Sequence, residues 1–61
     1  MTTDQIEATI ETMKLMAQNK RESASKMTNI AVRVRMMANA EGIESAINVL
    51  QGELNDAEAL V

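Results

Sequence analysis

Apolar residues recur along this chain in alternating steps of four and three. The series runs Ile6, Ile10, Met13, Ala17, Lys20, Ala24, Met27, Ala31, Val34 and Ala38, and only Lys20 interrupts it. Such persistence is the mark of an amphipathic helix with near-heptad period. A second series with the same rhythm follows at Ile43, Ile47, Leu50, Leu54, Ala57 and Val61. The two are out of phase. Val34 and Ile43 are nine residues apart, which at about 100° per residue puts them on opposite sides of one straight helix.

The phase change predicts a break, and Asn39-Ala40-Glu41-Gly42 supplies residues suited to one. Asn39 can cap a helix end, and Gly42 can adopt angles closed to other residues. The expected architecture is all-α, a single helical domain over residues 1–61. Its first helix covers about 4–37, a break falls near 38–42, and its second helix covers about 40–60. The competing arrangement is one continuous helix of about 90 Å, because a lone glycine costs a helix only about 1 kcal/mol. At the start, Thr3 is a candidate cap and Asp4 with Glu7 has capping-box spacing.

Charge supports the hairpin. All six basic residues lie between Lys14 and Arg35, a segment with net charge +5; the segment before it nets −3 and the one after it −5. An antiparallel hairpin would therefore lay an acidic second helix beside the basic end of the first, a pattern that selects orientation more than it stabilises. Arg33 and Arg35 suit a helix C-terminus, and Glu41 and Glu44 suit an N-terminus.

Residues flanking the stripes (Met16, Ile30 and Met37, then Ala46, Val49 and Leu60) make them wider than a two-stranded coiled coil needs. Helices of unequal length cannot cover each other, so apolar surface is left over for association with another chain. The expected interaction stripe is Ile6, Ile10, Met13, Ala17, Ala24, Met27, Ile30, Val34, Met37, Ile43, Ile47, Leu50 and Leu54. It would pack into an oligomeric bundle or coiled coil, or against a helical partner.

Composition narrows the chemistry. The 61 residues include no Cys, His, Phe, Tyr or Trp. Disulfides, zinc thiolates, thiol nucleophiles and the usual neutral-pH base are thereby removed. Oligomerisation is the staple that remains for so small a core. The six methionines suit adaptable packing surfaces; pairs such as Met13 with Met16 are better read as packing than as soft metal ligands. The carboxylates share helix faces without converging in a pocket, so no enzyme activity, metal, cofactor or small-molecule substrate is expected. An acidic chain without aromatics argues against nucleic acid, and the six cations scatter around the helical wheel.

Function is therefore expected in protein–protein interaction, as a structural subunit or adaptor. The alternative is a regulatory amphipathic peptide that folds on a larger protein partner or on a membrane surface. No apolar run exceeds three residues, and Met1-Thr2-Thr3-Asp4-Gln5 lacks a basic, then apolar, leader pattern. The default expectation is the cytoplasm. Lys20 within the stripe either fixes register or extends its long stem to water.

Overall fold

Thr2 starts the first helix by a reciprocal exchange. Its hydroxyl accepts from the Gln5 N–H at 3.2 Å, and its own N–H donates to the Gln5 side chain at 2.8 Å. That is a capping box two residues earlier than the Asp4–Glu7 spacing suggests and a cap one residue before Thr3, with Gln5 closing it in place of a carboxylate. In the computed structural model, which describes residues 1–60, helix α1 spans Thr3–Lys26 and helix α2 spans Ile30–Ala59. They pack antiparallel as a hairpin 49 Å long and 14 × 13 Å across. Val61 lies outside the described residues.

The chain reverses at Met27–Asn29, so the expected break at 38–42 is corrected: those residues are helical and lie inside α2. The turn needs no glycine, because Met27 and Asn29 are both in extended conformation at negative φ. Asn29 caps α2 by accepting from the Val32 N–H at 3.1 Å. The Arg33 guanidinium closes the turn by donating to the Met27 carbonyl, at 3.1 Å from Nε and 2.6 Å from Nη2. Ser23, Ser25, Thr28 and Asn29 are weak helix formers, since their side chains compete for backbone groups. The Ser25 hydroxyl does so, donating to the Glu22 carbonyl at 2.6 Å.

The core is thin and uneven. Its buried residues among those described are Ile6, Ile10, Ala17, Ala24, Ala40 and Leu54. The large ones gather at the open end of the hairpin, where Ile6, Ile10 and Leu54 form a cluster flanked by Ile47 and Leu50. Toward the turn the seam is lined by alanines. Continuing the register set by that cluster places Ala17 level with Ile43, Lys20 with Ala40 and Ala24 with Met36, small opposite large in each case.

Candidate association surface

The thirteen stripe residues divide three ways. Ile6, Ile10, Ala17, Ala24 and Leu54 are buried in the seam; Met13, Met27, Met37, Ile43, Ile47 and Leu50 are half-buried at its rims. Ile30 and Val34 take no part in the seam between the helices and stand out in solvent at 72% and 61% exposure. The turn at Met27–Asn29 restarts the helical phase, so the four-three series that continues through Ala31, Val34 and Ala38 faces away from α1. Ala40, inside the segment expected to break, is wholly buried. Reading the second series backwards from Ile43 would have found it, because Ala40 and Met36 continue the same steps.

The hairpin has two broad faces. One carries charged side chains along the edge of the apolar seam. Glu7, Glu11 and Lys14 line a shallow hollow there with Gln51, and Gln18, Arg21, Glu22 and Glu44 line the next. Arg21 joins the helices on this face by a bidentate ion pair with Glu44, Nε donating to Oε2 at 2.9 Å and Nη2 to Oε1. Hydrogen bonding to Arg21 holds the Glu44 carboxyl below its ordinary pKa, and the same bond, with the attraction of the carboxylate, raises that of Arg21.

The other face is methionine-rich. Met16, Asn19, Lys20, Ser23 and Met36 line its hollow, and helical spacing places Met13 of α1, Met27 at its C-cap, and Ile43, Ala46 and Leu50 of α2 along it. All five are half-buried. Met16 is 47% exposed. The Lys20 stem lies in this strip with no ion pair among the described residues, as expected of a side chain that covers apolar surface and keeps its charge wet.

Placing the turn at Met27–Asn29 also redistributes the charges. Beyond the Arg21–Glu44 pair, the charges are sorted along the length of the hairpin, in place of the acidic helix beside a basic one expected with the later break. The turn end, residues 20–35, carries Lys20, Arg21, Lys26, Arg33 and Arg35 against Glu22, a net +4. The open end carries Asp4, Glu7 and Glu11 beside Glu53, Asp56 and Glu58, with no basic side chain. Among the described residues no helix is long and apolar enough to cross a membrane. Comparison of the chain with protein-family models, curated proteins and solved structures finds no match.

Proposed function

We propose that this chain is a non-enzymatic helical interaction module that completes its apolar core against another helical chain. The methionine face carries the reading. A hairpin whose turn half is sealed by Ala17, Ala24 and Ala40 buries few large side chains, while Met13, Met16, Met36, Ile43 and Leu50 remain part-covered beside that seam. Methionine adapts to varied partner shapes, and covering such a strip is favoured by roughly 25 cal/mol per Å² of apolar area. The two helices, of 24 and 30 residues, are closer in length than the sequence suggests. The support therefore comes from the open face, not from an overhanging helix.

The test is sedimentation equilibrium with circular dichroism over a hundredfold concentration range, on the parent and on Met16→Asp. A parent heavier than the monomer, with helicity rising alongside its mass and both diminished in Met16→Asp, supports the reading. A parent that is monomeric at every concentration, fully helical and cooperatively unfolding has no need of a partner, and that result overturns it.

A further inference from the structure

We propose that the chain which covers the methionine face is a second copy of this one, laid antiparallel so that α2 packs against α2. This rests on the interaction-module reading and adds the partner and its orientation. The decisive residues are Arg35 and Glu53. They are eighteen residues apart on α2, five turns at about 3.6 residues per turn, and so point the same way. Both are exposed, and neither takes part in an ion pair or side-chain hydrogen bond among the described residues.

Between them runs a strip in four-three steps: Asn39, Gly42, Ala46 and Val49. The strip is symmetric in spacing about Glu44, which lies close to the middle of Ile30–Ala59. A two-fold axis passing beside α2 at that level, between the copies, sets Gly42 opposite Ala46, Asn39 opposite Val49, and each Arg35 opposite the Glu53 of the other copy. Gly42 has no neighbour within 4 Å of where a Cβ would stand, and with Ala46 it permits close approach of two helices. Val49 is 66% exposed and gains cover. Ile43 and Leu50 lie beside the strip and carry the contact onto the methionine face.

Charge selects this orientation over the parallel one. Antiparallel stacking lays the +4 turn end of each copy along the acidic open end of the other, whereas parallel stacking sets like ends together. The area is of the right size as well. The hairpin exposes 4514 Å², against about 3,900 Å² for a compact chain of its mass. The excess of roughly 600 Å² per copy approaches the ~800 Å² that each partner gives to a standard interface.

Sedimentation equilibrium at low salt on Arg35→Glu, Glu53→Arg and the double exchange tests this. Each single reversal is expected to weaken the dimer about tenfold, because two symmetric pairs turn repulsive, and the double exchange to return it to within about threefold of the parent. A second measurement uses the absence of native cysteine. With a short thiol-reactive linker, Met16→Cys, near the middle of α1, is expected to join to its counterpart. Ser23→Cys, about 20 Å from its counterpart in this arrangement, is expected not to join. A parent that associates while the reversals have no effect, or while Ser23→Cys links and Met16→Cys does not, overturns the antiparallel dimer and leaves the interaction module standing. A folded parent that stays monomeric overturns the module itself.

Discussion

Arg21 of α1 and Glu44 of α2 clasp the two helices where the apolar seam is weakest. The ion pair sits beside Ala17 and Ile47, and the remaining guanidinium nitrogen reaches the Met37 sulfur at 3.9 Å. Alanines tolerate sliding along a seam better than interlocked large side chains do. A planar, two-pronged pairing between positions 21 and 44 fixes the register that the alanines leave soft. Both side chains are about 40% exposed, so the contribution to stability is small and the contribution to specificity is the larger one.

The pair gives a pH signature. Glu44 is held below its ordinary value of 4.5, so whatever stability it contributes is fully present above that value and is lost as pH falls through its lowered folded-state pKa. Arg21 is raised and stays charged throughout this range. Thermal unfolding followed by circular dichroism is expected to show the parent above Glu44→Gln at neutral pH, with the gap closing well below pH 4.5. A gap that is independent of pH would mean that the carboxylate charge is not what joins the helices.

Gly42 and Asn29 discriminate between the two places where the chain could turn. Gly42 lies inside α2 with open space around it and no positive φ. Gly42→Ala is therefore expected to stabilise the hairpin by up to about 1 kcal/mol, through helix propensity and a less flexible unfolded chain. Asn29→Ala removes the cap on Val32 and is expected to cost about 1 kcal/mol. Denaturant midpoints check both. The opposite signs would restore the break near residues 38–42.

The helical class and the hairpin were legible because both stripes are long and regular. The turn was not, for a reason visible at Met36 and Met37. Adjacent methionines, with Ile30, Val34, Ala38 and Ala40 around them, supply an apolar residue to either helical phase. The first series therefore runs on past the point where the backbone has already reversed. Gly42 attracts attention as a breaker, yet packing keeps it helical at modest cost, while Thr28-Asn29 turns the chain with extended angles and a cap. The burial of Ile6, Ile10 and Leu54 follows directly from periodicity. Which face stays open depends on the turn, and so the exposure of Ile30 and Val34 did not follow.

The uneven core predicts uneven sensitivity. Leu54 is 6% exposed and completes the Ile6–Ile10 cluster. Leu54→Ala is expected to destabilise by about 2–5 kcal/mol, enough to unfold so small a hairpin under ordinary conditions. Val34→Ala, at an exposed position, is expected to change stability by no more than about 0.5 kcal/mol. Urea unfolding of the two variants separates them. Equal losses would show that the apolar series through Val34 is the true core face.

Lys20 sits at a seam position level with the fully buried Ala40, on the rim of the methionine face. Its stem covers apolar surface, but its ammonium must stay in water, and any chain docked on that face has to leave it a path out. Lys20→Leu removes this demand. The variant is expected to melt at a higher temperature than the parent, since a branched apolar side chain fills the same space without a charge to solvate. It is also expected to associate less selectively, because a single charged residue at a seam position excludes arrangements that an all-apolar seam accepts. Sedimentation velocity is the measurement: a narrow distribution for the parent and a broader, heavier one for Lys20→Leu. A variant of unchanged melting temperature and unchanged distribution would show that Lys20 points away from every packed surface and has no part in choosing how the helices assemble.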